Sequence, residues 1–559
     1  MSKRHYEDGL YALHAPRPSK RGRLPNGINR ISTLSDETLL HILSFLPISS
    51  LIVCQRLSYR FNALAQDSEL WKRHYYYRWV RQPRRYANSR QTVLPVVEYS
   101  PKVSSWLNHS HLANAGIRMD WKGQYRLRHN WSRGVCRVTE VELSQPYLRP
   151  ALIAFCAGVI FTVDHDSQLR ARSTQSPAFC LAEISLTCPR AHPAALPTAV
   201  TAMNGSRPNL IEIAVGFEDG HFGIYNMDTT SSPLRICFNS AGSTNGAITA
   251  MSSLYPYLLL VSHHKVLSLF RLGTDFSVPV HLLPREPTLL SSLEADSIME
   301  PMSLSVRSAG SDVITSIVYS FYHAGCGWSL GIQESLFSCS TGLQKETRLT
   351  TTVDSQYGIC TPLAHSCSGT DQSCSWVETN RKNTSRLRPA EPSIHHQEAP
   401  TSVSYSHPYL LSSHTDNTLT VYLVMSTSAG LCIKGAQRLW GHTSSVSAVQ
   451  VNERGKAISV SSQGDEIRVW ELEGLVSAFG RQRARRHGNS IRICPGKKQS
   501  DISDLTPSSR AKDNSLPNTT QGPHSITKIS DCIRFDDERV LLLRGKKIDG
   551  QMLKSYDFT

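Results

Sequence analysis

A chain of 559 residues, 40% hydrophobic and 19% charged, is long enough for more than one domain and apolar enough for a sizeable core, which excludes wholesale disorder. Its formal net charge of +15 permits contact with nucleic acid or an acidic partner without choosing between them. Much of the excess lies in local runs (Lys3-Arg4, Lys20 to Arg23, Arg81 to Arg85, Arg481 to His487) that read as solvated tails and loops. The 14 cysteines are scattered, with no neighbouring Cys-x-x-Cys pairs of the kind a zinc site needs. As free thiols they suit a reducing compartment. The opening MSKRHYEDGLYALHAP lacks the apolar stretch of a signal peptide, and the run Ala151 to Val163 stops at Asp164, too short to cross a bilayer. That run reads as buried strand, and the expectation is a soluble protein of the cytoplasm and/or nucleus that does not enter membranes.

Residues 1–29 form a basic, Pro- and Gly-bearing leader expected to be disordered. From residue 31 the sequence ISTLSDETLLHILSFLPISSLIVCQRLSYRFNALAQDSELWKRHYYYRW changes texture. Ser35 is placed to cap a helix whose first turn holds Asp36 and Glu37, where carboxylates favour the positive end of the helix dipole. Leu39, Leu40, Ile42, Leu43 and Leu46 recur at helical spacing until Pro47, which lacks an amide proton, closes the segment. A second helix is expected from Ser49 or Ser50 with Leu51, Ile52 and Leu57; Phe61 and Leu64 extend an apolar face, and Leu70-Trp71 anchors its end. Three short amphipathic helices in about 45 residues make a core that is marginal alone, so it packs on the rest of the chain or is covered by another protein.

These residues resemble the F-box family through Leu34, Glu37, Leu40, Ile42, Leu43, Leu46-Pro47, Leu51, Leu57, Phe61, Leu64 and Leu70-Trp71, with Ser35 where the family's opening pair has proline. The resemblance implies a small all-α F-box domain over 30–79 that binds a Skp1-like adaptor and, through it, a cullin and a RING subunit. It also implies Leu34, Pro47, Ile48 and Leu51 as the contact residues. In the linker of 80–145, the stretch DWKGQYRLRHNWSRGVC puts Trp121, Tyr125 and Arg128 on one side of a helix. It is similar to the linker helix of proteins carrying both an F-box and WD repeats, where such aromatic residues wedge the two modules together.

Residues 146–559 read as short strands parted by turn residues. The clearest unit is 440–472: Gly441-His442, then alternating Val446, Ala448 and Val451, a turn, Ala457, Ile458 and Val460, a second turn, and Ile467, Val469 and Trp470. It resembles a WD repeat, with Gly441, His442 and Trp470 as repeat markers. The family's turn aspartate belongs six residues before the Trp position; here that place is Gly464, with Asp465 one late, so the His-to-Asp network is expected to be altered or absent. Elsewhere the aspartate stays and the Trp is lost: Asp166 precedes Arg172 by six, Asp219 precedes Tyr225, and Asp416 precedes Tyr422. His264 stands six before Phe270.

The gap from 264 to 416 is expected to hold two blades, one including Val313 to Ile332 and one around 345–400. Strands at 526–535 and 539–545 add a last unit. The fold class is therefore mixed: a small all-α F-box followed by an all-β WD40-like propeller of seven blades, with eight as the alternative and a β-sandwich plus a separate small domain as runner-up. Polar stretches near 380–402 and 488–524 read as inserted loops with partial disorder.

No recognisable catalytic set is present, nor a Gly-rich phosphate loop with its Lys, nor a His-Glu-x-x-His metal signature. His263-His264 reads as a turn, Cys367 and Cys374 lack matching ligands, Cys54 reads as core, and Arg468 as facing solvent. No catalytic, cofactor or metal residue is assigned. What the resemblance implies is a non-catalytic substrate-recognition adaptor of a Skp1-cullin-F-box ubiquitin ligase, whose propeller grips a protein substrate the sequence does not identify. The alternative is a WD-repeat assembly scaffold without a ligase role. The clustering of charge in leader and loops, without stacking aromatics along a basic groove, argues against direct nucleic-acid binding.

Overall fold

The structure is a computed structural model that describes residues 31, 33–80, 120–143, 151–164, 166–186, 195–207, 209–230, 233–273, 286–294, 299–356, 394–427, 430–462, 466–472, 490–495, 532–546 and 550–559. The expected leader and most of the two polar insertions lie outside these residues. The described residues form two compact units: those up to 80 with 120–125, and those from 126 onward.

In the first unit, helix α1 (Asp36–Leu43) starts where expected: the Ser35 side chain accepts from the Thr38 amide at 3.4 Å, with Asp36 and Glu37 in the first turn. Serine in place of proline thus keeps a working cap. Helix α2 (Ile48–Cys54) begins directly after Pro47, a residue or two earlier than expected; Pro47 is its cap, extended at ψ 155°, where a missing amide proton forfeits no bond within the helix. The expected three helices become four. Ser58 caps a separate helix α3 (Tyr59–Ala65) by accepting from the Phe61 amide at 3.2 Å, and Asp67 caps α4 (Ser68–Tyr75) through the Glu69 and Leu70 amides. Leu39, Leu43, Leu51, Leu64, Leu70, Trp71 and Tyr75 are buried. Helix α5 (Trp121–Arg133) opens in this unit, where Trp121 and Tyr125 join Trp71, Tyr75 and Trp79 in an aromatic cluster with ring centroids 4.7–5.6 Å apart.

The second unit is a ring of seven sheets among the described residues. Six are four-stranded antiparallel blades with their strands in chain order: residues 152–185, 197–239, 248–294, 299–351, 402–440 and 446–492. The seventh takes Cys532–Phe535, Arg539–Lys546 and Gly550–Asp557 from the far end of the sequence and borrows Val135–Leu143 as its next strand, antiparallel from Arg137↔Asp557 to Leu143↔Gln551. Each innermost strand neighbours that of the next blade, and the last returns to the first. Joining the propeller's first and last strands in one blade leaves no open gap in the ring. The propeller thus starts at 135, not 146, because the closing strand precedes the first blade.

The count is seven, not eight. Between 264 and 416 a single blade (299–351) stands where two were expected; its strands run to 12 residues, and its two middle strands, Asp312–His323 and Gly327–Ser338, contain the expected Val313–Ile332 stretch. Residues 345–356 complete its outer strand and a short helix, while 357–393 lie outside the described residues. The run Ala151–Val163 is a hairpin of two strands, Leu152–Cys156 and Val159–Val163, rather than one strand; Ala157 and Gly158 turn it with φ of 48° and 75°. No helix among the described residues is long and apolar enough to cross a membrane.

Second strands such as Val159–Val163, Tyr409–Ser413 and Lys456–Ser461 are buried along their whole length, since a blade is covered on both faces by its neighbours. Phe161, Leu169, Ile213 and Phe217 fill the layer shared by the first two blades. Four of the blades also share one backbone device: the turn between second and third strands has a positive φ at Ser167 (52°), Gly220 (80°), Lys265 (62°) and Asn417 (63°). Each follows by one residue the position compared in sequence (166, 219, 264, 416), so the aspartate spacing located the turns correctly even where the residue had changed.

Candidate partner-binding face and the propeller frame

The helices of the first unit are too short to hide all their apolar residues. At 100° per residue, the consecutive Leu51, Ile52 and Val53 of α2 cannot share one face. Leu51 turns fully inward, at 0% exposure, while Ile52 and Val53 face solvent. The same division leaves Ile42 and Phe45 exposed at the end of α1, Leu57 after α2 and Tyr59 at the start of α3. These six side chains are 44–97% exposed, and α3 packs on both α1 and α2, so they decorate one small assembly of helices. Such a concentration of exposed apolar side chains in a small unit makes these helices the candidate interaction surface of the described residues. Polar contacts hold it in shape. Arg60 pairs with Asp36 at 2.6 Å and donates to the Leu34 carbonyl at 2.6 Å; the Trp71 indole and the Gln55 amide both donate to the Ala65 carbonyl. Arg73 lies over the Phe45 ring and donates to the Ser44 hydroxyl.

Of the residues named from sequence, Pro47 is exposed, Leu34 and Ile48 are half-buried, and Leu51 belongs to the core. Sequence reasoning passed over Phe45, Val53 and Tyr59 as contacts. The signal available was the adjacency just described. Cys54 is half-buried, and the described cysteines are free thiols.

In the propeller, the sixth blade carries a buried polar chain. The Ser459 hydroxyl accepts from the Trp470 indole at 2.7 Å and is hydrogen-bonded to His442 Nε2 at 2.6 Å. His442 Nδ1 lies 3.6 Å from Glu466, which accepts from the Thr443 amide and hydroxyl (3.1 and 2.9 Å) and from Arg468 at 2.8 Å. Of the two outcomes expected for the network, altered or absent, it is altered: Glu466, two residues past Gly464, takes the aspartate's part with one more methylene. Burial would push the Glu466 carboxyl up, but the Thr443 bonds and the Arg468 guanidinium hold it at about 2. Burial brings His442 down to about 4, so it is a neutral structural imidazole. Arg468 does not face solvent; it ties Glu466 to the Ser490 hydroxyl. Gly441 is closely approached: a Cβ there would lie 3.0 Å from the Ser490 hydroxyl and 3.1 Å from the Trp470 ring, so those neighbours would have to give by a few tenths of an ångström.

Asp219 and Asp416 sit in their turns, Asp219 against His221 and Asp416 accepting from the Thr418 amide and hydroxyl at 3.2 and 2.6 Å. Asp166 is an exposed turn residue, and the buried carboxylate of that blade is Asp164, paired with Arg170. His263 and His264 occupy a turn. In the fifth blade His396 and His414 stack at 3.7 Å, bonded to Thr420 and Ser412. Among the described residues no His/Cys/Asp/Glu group is arranged to hold a metal ion.

A family described as F-box-like matches residues 32–77. With the seven-bladed ring, this defines the class: an F-box domain joined to a β-propeller, the architecture characteristic of non-catalytic substrate adaptors of the SCF type. The F-box protein dre-1 of Caenorhabditis elegans is 45% identical over 47 residues, 8% of this chain and 5% of that protein. The propeller makes the particular assignment. The family described as F-box protein pof12 beta-propeller matches residues 136–559, and the chain belongs to it. Among solved structures, the computationally designed Ika8 protein aligns over 76% of this chain and 99% of its own at 12% identity and a TM-score of 0.33. The complex of KlAtg21 with the coiled-coil of AgAtg16 aligns over 74% and 100% at 11% identity and a TM-score of 0.36.

Proposed function

We propose that this chain binds a Skp1-like adaptor through the exposed apolar face of α1–α3, is joined through it to a cullin and a RING subunit, and presents a protein substrate held by the propeller. The observation that carries the reading is the set Ile42, Phe45, Ile52, Val53, Leu57 and Tyr59, left exposed by a unit otherwise well packed. Covering such side chains on association is favourable, roughly 25 cal/mol per Å² of apolar area removed from water. Leu34 and Ile48, which are half-buried, and Pro47, exposed at the start of α2, would add to the contact. The chain's contribution to ubiquitin transfer is proximity, since holding the substrate near a charged conjugating enzyme turns a bimolecular encounter into a nearly intramolecular one. We place this activity in the cytoplasm and/or nucleus, in keeping with the free thiols of the described cysteines.

The test is affinity purification of the full chain from cells with the proteasome inhibited, comparing wild type with a Phe45→Glu/Val53→Glu double variant. The adaptor reading expects the Skp1-like adaptor, the cullin and the RING subunit to disappear together from the variant, while substrates held by the propeller remain and accumulate. Retention of the ligase subunits by a folded variant would remove the assigned face. Their absence from the wild type as well would leave a WD-repeat scaffold.

A further inference from the structure

We propose that the rim of the propeller where helix α5 ends, between the sixth and seventh blades, is a docking surface for an acidic segment of a partner protein, one rich in aspartate and glutamate. Four arginines carry it. Arg126 and Arg133 lie on the part of α5 that belongs to the second unit, Arg137 on the closing strand Val135–Leu143, and Arg492 at the end of the outer strand of the sixth blade. All four are exposed, and among the described residues none of them has an ion pair or a side-chain hydrogen bond. By contrast Arg454, Arg468 and Arg539 each meet a carboxylate at 2.6–3.3 Å.

The backbone brings the four arginines to one place. Seven residues, two helical turns, separate Arg126 from Arg133, so they share a side of the helix about 10 Å apart. Gly134 then turns the chain with φ of 67°, and its backbone runs so close to that of Arg492 that a Cβ would collide with the Arg492 carbonyl. Val135 pairs with Cys494 in parallel register, and the Cys494 amide donates to the Gly134 carbonyl at 2.8 Å. Arg133 and Arg492 each stand two residues before that pair, and Arg137 two residues after it. The helix end is anchored by buried Trp131, which stacks on Phe558 at 3.7 Å and lies under Lys456 at 3.9 Å. A surface held in place this way spares a partner the cost of ordering it.

The neighbouring carboxylates are committed to other groups. Asp557, opposite Arg137 in register, accepts from the Thr559 amide at 2.9 Å and lies 3.3 Å from Arg539. Glu140, farther along the same strand, meets Lys554 at 3.1 Å, and Glu466 holds Arg468, the residue opposite Arg492. Like charges gathered without counter-charges attract a partner of the opposite sign, and a carboxylate matches the planar guanidinium fork. Spacing selects the form of that partner. Arginines spread over about 10 Å match a row of carboxylates better than one phosphate, and alternate side chains of an extended segment recur about every 7 Å. Val135, 46% exposed among the arginines, offers a seat to an apolar side chain of the segment. Within 126–137 and 490–495 no aromatic ring is exposed to stack a nucleobase, which favours a protein over a nucleic acid.

The test is fluorescence anisotropy of the full chain with a labelled peptide of about ten residues, Glu at alternate positions and Val or Ser between them. The same peptide with Gln for Glu and a single-stranded oligonucleotide serve as comparisons. Saturable binding of the Glu peptide is expected, weakening as salt is raised because the arginines are exposed, with both comparisons binding less tightly. Arg133→Glu/Arg492→Glu is expected to weaken the Glu peptide at least about tenfold, whereas Arg207→Glu, an exposed position on the second blade, is expected to leave it within about twofold. Should the double variant fold poorly, Arg126→Ala/Arg137→Ala is expected to weaken the same peptide about fivefold. All four positions lie in the second unit, so the outcome does not depend on the α1–α3 face. No saturable binding of the Glu peptide, equal binding of the Gln peptide, or unchanged affinity in the folded variants overturns the proposal. Tighter binding of the oligonucleotide, lost in the same variants, overturns the choice of a protein partner.

Discussion

Ser459 is the meeting point of the Trp470 indole and the His442 ring, and Trp470 is among the largest fully buried side chains. Ser459→Ala would leave both ring nitrogens unmatched in a dry interior. A loss of about 2–4 kcal/mol is expected, read as a lower urea midpoint with unchanged slope; no shift would mean the chain is not structural. Acid should act through the buried imidazoles. Burial lowers His396 to about 3 and His414 to about 4, with Arg438, Asp416 and His395 as the charged and titratable neighbours; burial likewise lowers His442 to about 4, with Glu466 and Arg468 beside it. In the unfolded chain each histidine takes a proton near pH 6.5 that the folded chain refuses. Their stability is therefore intact above pH 6.5 and falls as pH drops toward 4, by about 1.4 kcal/mol per pH unit for each. Glu466, held low, adds its own loss only as pH falls below 4.5 toward 2. Urea midpoints between pH 7.5 and 4.5 check this. A flat profile would contradict it, and His414→Gln is expected to flatten it in part.

At the scale of single elements, position on a short helix decides whether a substitution tests folding or binding. Leu51→Asp would bury an unpaired charge and is expected to unfold the first unit. Val53→Asp, two residues on, is expected to leave its melting unchanged within about 0.5 kcal/mol. Circular dichroism of the two full-length variants separates them, and equal damage would argue against the described faces. Ring closure has a comparable handle in Phe558, which stacks on Trp131 at 3.7 Å while Lys456 lies 3.9 Å over the same indole. Phe558→Ala is expected to cost about 3–5 kcal/mol in the propeller's denaturant unfolding, and a negligible loss would mean closure does not depend on this wedge. The caps at Ser35 and the stop at Pro47 were legible because they act over three or four residues. Ser58 as a separate cap was not, since the apolar spacing of Leu57, Phe61 and Leu64 runs straight across it. The interval from 264 to 416 was over-counted for a related reason: the one blade there has two middle strands of 12 residues each, and the hairpin between them turns at 324–326 with no aspartate.

Taken whole, the molecule joins an F-box domain to a propeller that closes by pairing strands about 400 residues apart, Arg137 against Asp557. Both modules could be read from sequence because each repeats a local pattern, leucine spacing in one and turn spacing in the other. The closing strand could not, since VCRVTEVEL is an ordinary alternating strand whose partner is fixed only by the ring. The exposed apolar set was half legible: sequence located the helices that carry it but ranked Leu51, which packing draws inward, above Val53 and Phe45, which it leaves outside. Seven blades also set the substrate question apart, because nothing in the turn aspartates distinguishes a frame residue from a reader of peptides. The most direct measurement is the affinity of the purified full-length chain for a purified Skp1-like adaptor, for wild type and for Phe45→Glu/Val53→Glu, with the melting of both recorded. The account predicts tight binding by wild type, a loss of at least about a hundredfold in the variant, and unchanged melting. Equal affinity of the two folded proteins, or no binding by wild type, would contradict it.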